Sequence, residues 1–233
     1  MSVKKFLVLT TAGAVALAAG AAQAGGPDVM APPAPIDYSG IYFEGNLGWS
    51  LSNWTNFWAG AINPSPLALF SPAWITSNGR TGFTWGFDLG YQFNKYFSAE
   101  LGWYKLPTVS GFFPAPVPGA PGFSQRSWFV YLAGKVAVPV ADNFDLFGKA
   151  GVAWRHLSLS GAVTGLPAFN LIPSSGSYWA PYFAFGMQYW INDAWIVNLQ
   201  YQHVASNVGV TNIATAAPSA NLVTMGVGYK FAV

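Results

Sequence analysis

The chain has 233 residues, of which 8% are charged, 17% are aromatic and none is cysteine. A charged fraction this far below the roughly 25% of ordinary globular domains argues against an ordinary soluble protein, and the lack of cysteine excludes a disulfide framework and a thiolate metal site. The formal net charge of +2 comes without a basic tract, which argues against a nucleic-acid-binding protein.

The first 24 residues predict a secretory signal peptide. Lys4 and Lys5 precede an apolar stretch, and Ala22-Gln23-Ala24 is a small-x-small cleavage signal. Without this peptide the chain has eight basic and eight acidic residues, so we expect an exported chain with a net charge near zero. Residues 25–39, GGPDVMAPPAPIDYS, predict a Pro-rich periplasmic segment that leads into a domain over residues 40–233.

Residues 54–74, WTNFWAGAINPSPLALFSPAW, carry no charge and have the length of a membrane-spanning helix. Pro64, Pro66 and Pro72 exclude that helix, because each interior proline costs about 3 kcal/mol. In lipid, only helices and closed barrels satisfy every backbone N–H and C=O group. An apolar chain without a clean helical span therefore predicts a β-barrel.

Eight segments alternate apolar and polar residues with a period of two, as membrane-spanning strands do. They cover residues 40–51, 80–93, 97–106, 126–138, 144–157, 178–190, 195–203 and 221–231. Short turns at 94–96, 139–143 and 191–194 alternate with long connections at 52–79, 107–125, 158–177 and 204–220. Outer-membrane barrels have short periplasmic turns and long extracellular loops. We therefore predict an all-β, eight-stranded antiparallel up-and-down transmembrane barrel in the bacterial outer membrane, with periplasmic termini.

The two faces of these strands carry different residues. Aromatic side chains are concentrated at both ends of the apolar face, as in the girdles of membrane barrels. Lys105 and Arg126 also have outward parity, near extracellular strand ends where phosphates of lipopolysaccharide are expected. A soluble, lipocalin-like barrel would need polar residues on its outer face. The other strand charges share the inward face: Glu44, Arg80, Asp88, Glu100, Lys135, Asp145, Lys149, Arg155 and Lys230.

From Gly40 to Val233 the chain resembles the eight-stranded outer-membrane barrels of the OmpA transmembrane domain, opacity-protein and OmpW group. The resemblance rests on strand number, alternating loop lengths and the last strand, NLVTMGVGYKFAV. It implies a porin-like cell-envelope protein or surface antigen without a cofactor. It also implies recognition by the barrel-insertion machinery, for which Tyr229 and Phe231 have the expected spacing although Ala232 and Val233 follow. Further expected partners are outer-membrane lipids, lipopolysaccharide and a host or envelope protein.

Six interior charges lie in the periplasmic half of their strands and predict a charge network: Glu44, Asp88, Glu100, Lys135, Lys149 and Lys230. Because unpaired buried charges are costly to desolvate, we expect salt bridges among them. The resemblance implies an ion gate as one function of such a network. The interior of an eight-stranded barrel is just wide enough for side chains to fill, which favours a structural plug instead.

One motif points to an enzyme. His156-Leu157-Ser158 places an imidazole and a hydroxyl on one outward face, and it resembles the His-x-Ser element of outer-membrane lipid A deacylases. A hydrolase also needs a carboxylate that orients the histidine, and no Asp or Glu occurs between Asp145 and Asp193. We therefore predict a protein without catalytic or metal-binding residues, and keep a lipid A-modifying enzyme as the third hypothesis.

The long connections carry aromatic residues and almost no charge, and rigid scaffolds commonly present binding residues on their loops. Apolar loops suit either packing into a cap or contact with an apolar partner. The first hypothesis is therefore a structural or surface-interaction role through four extracellular loops. The alternatives are OmpW-like passage of small apolar solutes and a small ion-conducting pore. The loop candidates are Trp54, Phe57, Trp58, Phe70, Trp74, Phe112 and Phe113.

Overall fold

The computed structural model describes residues 39–54, 75–77, 79–111, 123–161, 175–207 and 217–231. The predicted signal peptide lies outside these residues, and so does the Pro-rich segment apart from Ser39. Within the described ranges, no helix has the length and apolar character needed to cross a membrane. Six of the loop candidates also lie outside them: Phe57, Trp58, Phe70, Trp74, Phe112 and Phe113.

Ten antiparallel strands form one sheet in the described part of the chain. In chain order they are β1 (Gly40–Leu51), β2 (Ile75–Ser77), β3 (Thr81–Gln92), β4 (Phe97–Lys105), β5 (Val109–Gly111), β6 (Phe123–Ala141), β7 (Phe144–Gly161), β8 (Ser175–Trp190), β9 (Trp195–Val204) and β10 (Ala220–Lys230).

Eight of these strands close into a barrel. The wall runs β1-β3-β4-β6-β7-β8-β9-β10, and β10 pairs back onto β1 with Phe43 opposite Tyr229. Every neighbouring pair is antiparallel, so the predicted up-and-down architecture is confirmed. Closure pairs every wall strand on both sides. No strand edge then exposes unpaired backbone N–H and C=O groups to lipid.

Five wall strands, β1, β3, β4, β9 and β10, begin and end within one residue of their predicted bounds. On the other side of the barrel the strands are longer than predicted at the end that carries the long connections. There β6 begins at Phe123, β7 ends at Gly161 and β8 begins at Ser175. The predicted turn at 139–143 is shorter, because β6 continues to Ala141.

The sequence pattern missed β2 and β5. β5 pairs with residues 123–125 of β6, and β2 pairs with β5. Both strands have three residues, too few for an alternating pattern to be recognised. Together with the ends of β6 and β7 they extend the sheet beyond the barrel on one side.

Alternation along each strand separates the two faces as predicted. In β3 the odd-numbered residues from Phe83 to Tyr91 are exposed, and the even-numbered residues from Gly82 to Gly90 are buried. Outward aromatic residues pack against each other at both ends of the wall. Ring centroids lie 5.1 Å apart for Trp85 and Trp103 and 5.2 Å apart for Trp195 and Tyr229. On the outer face of a soluble barrel these rings would be exposed to water. On the outer face of a membrane barrel they contact lipid.

Two of the short turns are stabilised in the same way. The Asn94 side-chain oxygen accepts hydrogen bonds from the N–H groups of Tyr96 and Phe97, at 2.8 and 3.0 Å. The Asn192 side-chain oxygen accepts hydrogen bonds from the N–H groups of Ala194 and Trp195, at 2.9 and 2.8 Å. Asparagine favours turns because its side chain can replace a backbone acceptor. These contacts explain why the connections at this end are short.

Candidate functional site

Five buried charged residues from five strands meet in the half of the barrel that ends in the short turns. They are Glu44, Asp88, Glu100, Lys135 and Lys149. The Lys135 ammonium lies 3.1 Å from Glu100 and 4.0 Å from Glu44. Lys149 forms an ion pair with Glu100, and its Nζ lies 3.8 Å from Asp88 Oδ2. Each lysine therefore bridges two carboxylates, and Glu100 is shared by both.

Neutral side chains donate further hydrogen bonds to the three carboxylates. Glu100 accepts from the Tyr42 hydroxyl at 2.5 Å and from the Tyr131 hydroxyl at 3.2 Å. Hydrogen bonds to ionised groups are about twice as strong as neutral ones, so these donors help to hold buried negative charge. The other donors are Asn46 (3.0 Å) and Tyr104 (2.9 Å) to Asp88, and Asn198 (2.7 Å) to Glu44.

The aromatic residues around this network include two that sequence reasoning did not assign to it. The Phe147 ring centroid lies 4.5 Å from the Lys135 ammonium and 5.3 Å from that of Lys149, within cation–π range. Phe129 stacks on Tyr104 at 5.4 Å between ring centroids. Both phenylalanines have inward parity in their strands, and that signal was available in the sequence.

Apolar side chains fill the other half of the interior, beneath the long connections. Trp54 is only 3% exposed and belongs to this cluster. Its side chain therefore lies inside the cap over the barrel and not at the outer surface, where a loop contact was expected. Other members come from the strand ends and the bases of the connections: Leu106, Val109, Leu157, Tyr178, Val204, Ala217 and Leu222.

Arg155 is fully buried in this half of the interior. Its guanidinium donates hydrogen bonds to the Ser127 hydroxyl at 3.0 Å, the Tyr178 hydroxyl at 3.2 Å and the Pro218 carbonyl at 2.6 Å. The guanidinium carbon lies 5.8 Å from the Trp54 ring centroid. Arg155 therefore connects two wall strands to the bases of the first and last long connections.

Three other predicted interior charges lie elsewhere. Arg80 precedes β3 and is exposed, so its inward assignment was wrong. Asp145 is half-buried near the short turns, where it accepts hydrogen bonds from Gln188 and Trp190 at 2.8 and 2.9 Å. Lys230 is half-buried at the same rim, with its ammonium 5.8 Å from the Trp190 ring centroid. The structure thus brings together five of the six residues predicted for the network.

These features match those of known outer-membrane barrels. A family model described as the OmpA-like transmembrane domain covers residues 37–233. The chain belongs to this family. Outer membrane protein A of Serratia marcescens is 30% identical over 208 residues, which cover 87% of this chain and 52% of that protein. The chain thus spans about half the length of this relative.

Two further comparisons agree with this assignment. An uncharacterised Coxiella burnetii protein is 27% identical over 98% of this chain and 99% of its own length. The crystal structure of Neisserial surface protein A matches 83% of this chain and 98% of its own, with 13% identity and a TM-score of 0.50, and so has the same fold. The protein is a bacterial outer-membrane β-barrel, as predicted.

Membership in the OmpA-like family assigns the two ends of the barrel. Because such barrels have short periplasmic turns and longer extracellular loops, we take the end with Asn94 and Asn192 as periplasmic. The charge network then lies in the periplasmic half of the interior, and the apolar cap lies at the extracellular end. Lys105 and Arg126 are exposed at the extracellular end of β4 and near that of β6.

His156 does not pair with Ser158 in this OmpA-like barrel. Its Nδ1 atom lies 2.8 Å from the hydroxyl oxygen of Ser177 on β8, and its ring lies 5.2 Å from that of Trp128. Asp145 is eleven residues away along the same strand, or roughly 36 Å at about 3.3 Å per residue. Among the described residues, no group of three His, Cys, Asp or Glu side chains is placed to hold a metal ion.

Proposed function

We propose that the protein has a structural and surface-interaction role in the outer membrane, carried by its extracellular connections. The supporting observation is the filled interior. Tyr104, Tyr131 and Tyr182 are at most 1% exposed, and they lie between the charge network and the cap. Side chains that fill a barrel leave no solute path. We therefore assign the surface-interaction role to the extracellular connections.

We further propose that the barrel is not a hydrolase. A hydrolase of the His-x-Ser type needs a carboxylate that orients and stabilises the histidine. His156 instead contacts a serine and two tryptophans, and Asp145 lies near the opposite end of β7. We therefore assign His156 to the outer aromatic girdle. On expression of the protein, the mass spectrum of lipid A should be unchanged, and any loss of acyl chains would overturn this assignment.

Substitution of loop aromatics tests the surface role. We would replace Phe57, Trp58 and Phe70 by serine and keep Trp54, because Trp54 packs inside the cap. In an outer membrane that lacks its own OmpA, we expect weaker adhesion of cells to apolar and host surfaces and greater detergent sensitivity. Uptake of small apolar solutes should stay the same.

A matched control and the opposite result make this experiment decisive. Replacement of Phe43, Phe87 and Phe185 by leucine changes three lipid-facing rings and should leave adhesion at the wild-type level. Normal adhesion in the loop variant together with reduced solute uptake would reject the surface role. That outcome would favour the passage of small apolar solutes.

A small ion-conducting pore is the second candidate, and the geometry of Lys135 supports it. Its ammonium lies between Glu100 and Glu44, so a change of partner would rearrange the network without moving the backbone. We favour the plug, since the network and the apolar cap would both have to open. In planar bilayers we expect no steady channels. Steady channels that Glu44→Gln or Lys149→Met abolishes would establish the pore instead.

A further inference from the structure

The charges of this chain are divided unequally between the two ends of the barrel. No Asp or Glu occurs in residues 45–87, 101–141, 146–192 or 194–233. These ranges contain all four long connections and every strand end that adjoins them. They also contain Arg80, Lys105, Arg126 and Arg155. The extracellular end therefore carries four cations and no side-chain anion.

Two of these cations lie side by side on the lipid-facing wall. Lys105 is opposite Trp128 in the β4–β6 register, and Arg126 lies two residues beyond Trp128 on the same face. This diagonal relation places their Cα atoms roughly 7–8 Å apart. Like charges at such a distance repel each other unless an anion lies between them. In the described part of the chain both side chains are exposed, and neither forms a salt bridge.

The surrounding tryptophans indicate the depth of this pair in the membrane. Trp85 and Trp128 flank Lys105 on the neighbouring strands, and Trp128 packs against Trp154 with ring centroids 5.2 Å apart. Tryptophan is enriched where the hydrocarbon meets the headgroups. Arg126 lies on the extracellular side of this girdle, so its guanidinium reaches the level of the headgroups in the outer leaflet.

Lys105 and Arg126 lie on one side of the lipid-facing wall, on β4 and β6. At the extracellular ends of β9, β10 and β1, the outward residues of the described chain include no lysine or arginine: they are Tyr201, His203, Asn221, Val223, Trp49 and Leu51. The strands β6 and β7 also rise higher than the others beside Arg126. The surface defined by Lys105, Arg126, Trp85, Trp128 and Trp154, the β4–β6 patch, therefore differs from the rest of the outer girdle.

We propose that the β4–β6 patch is a docking site for lipopolysaccharide, with a lipid A phosphate bound between Lys105 and Arg126. Arginine and lysine both bind phosphate, arginine through two parallel hydrogen bonds and lysine as a point charge. The tryptophans contact the upper part of the acyl chains. This inference rests on the proposed envelope role and names one partner of the barrel wall, distinct from any partner of the loops.

The test measures lipid A bound to the folded barrel. Purified protein is placed in phosphatidylcholine vesicles that contain lipid A, dephosphorylated lipid A or phosphatidylglycerol, and bound lipid is counted by native mass spectrometry. One cation near an anionic membrane surface contributes about 1 kcal/mol, which is about fivefold in affinity. Lys105→Gln and Arg126→Gln should each lose about fivefold in affinity for lipid A, and the double variant more.

Three comparisons control for folding and for simple charge attraction. Lys95→Gln removes an exposed cation at the periplasmic end and should bind lipid A like the wild type. The exchange Lys105→Arg with Arg126→Lys keeps both charges and should retain most of the binding. Heat-dependent gel mobility checks that every variant is a folded barrel. Binding to dephosphorylated lipid A should be weak for all variants and equal among them.

Several outcomes would overturn the proposed site. Unchanged lipid A binding in the double variant, or an equal loss in Lys95→Gln, would show that the patch is not used. Equal binding of phosphatidylglycerol would show attraction to any anionic lipid. The loop variant with serine at Phe57, Trp58 and Phe70 retains both cations. It can therefore show reduced adhesion even if Lys105→Gln and Arg126→Gln leave lipid A binding unchanged. Failure of this inference is therefore distinguishable from failure of the surface role.

Discussion

At the scale of single residues, the interior depends on glycines that make room for large side chains. Gly102 lies beside Tyr131 and Asp88, and a Cβ atom at this position would overlap both side chains. Gly134 points toward lipid, and a Cβ there would meet nothing within 4 Å. Glycine is therefore required at the first position and is only tolerated at the second.

We predict opposite effects for alanine at these two glycines. Gly102→Ala should lower the free energy of unfolding by about 1–3 kcal/mol, because added atoms strain a packed interior. Gly134→Ala should be neutral or stabilising by up to about 1 kcal/mol, since glycine costs entropy inside a strand. Urea titration of protein in lipid vesicles gives both values. Equal effects of the two substitutions would mean that the interior is not packed as described.

Removal of one lysine from the charge network should be much more costly. Lys149→Met removes the ammonium group that forms ion pairs with both Glu100 and Asp88 in a buried site. Loss of one member of a buried ion pair typically costs about 3–5 kcal/mol. We expect a loss of that size in the same urea titration, and a change within about 0.5 kcal/mol for the exposed control Lys95→Met.

A second substitution tests the cause of this loss. In Lys149→Met with Glu100→Gln, the uncompensated carboxylate is also removed, so part of the stability should return. Additive losses in the double variant would instead indicate that Lys149 acts through packing and not through charge.

The site was predictable from the sequence to the extent that it depends on strand parity. Inward parity identified Glu44, Asp88 and Glu100, because charge on the lipid face is expensive. The partners within the barrel were not predictable. Lys135 on β6 reaches Glu44 on β1 across the interior, and only the closed geometry brings two non-adjacent strands together. Phe147 was missed because an inward aromatic residue contradicts the simple rule of outward apolar side chains.

At the scale of the strands, lipid determines how well the pattern predicts the structure. Within the membrane every second side chain must be apolar, and β1 was predicted to the residue. Beyond the membrane this requirement ends, so the outer parts of β6 and β7 carry serine on the outward face, at Ser124, Ser158 and Ser160. β2 and β5 form only because β6 extends outward and offers them a partner. Such elements depend on tertiary pairing and have no local pattern.

The depth of each strand in lipid can be tested with one arginine. Leu132 lies on the outer face opposite Leu101, the middle residue of β4, and is 58% exposed. Leu132→Arg should destabilise the barrel in lipid vesicles by about 2–4 kcal/mol, as at the bilayer midplane, and Val140→Arg near the periplasmic turn by about 0–1 kcal/mol. Vesicle-based unfolding measures both. Equal costs at the two positions would show that Leu132 does not face the hydrocarbon.

At the scale of the whole molecule, two layers fill the interior and hold different parts of the chain together. The charge network joins five wall strands in the periplasmic half. At the extracellular end, Arg155 joins the wall to the bases of two long connections. Tyr104 and Tyr131 belong to both layers, but the hydrogen bonds of Arg155 go to Ser127, Tyr178 and Pro218, which lie outside the charge network. We therefore expect the wall to stay closed when these bonds are lost. A change at Arg155 should act on the cap alone.

We predict that Arg155→Met opens the base of the last connection. Its guanidinium donates a hydrogen bond to the Pro218 carbonyl, next to Ala217, and Ala217 pairs with Asn207 through hydrogen bonds of 3.0 and 3.1 Å. A hydrogen bond to a charged group contributes about 1.5–3 kcal/mol, so amide hydrogen exchange at Asn207 and Ala217 should become about 10- to 100-fold faster. Exchange in β3 should not change. Arg126→Met, an exposed arginine on the neighbouring strand, should leave all of these rates at the wild-type level. Faster exchange throughout the wall would instead mean that Arg155 stabilises the whole barrel and not only its cap.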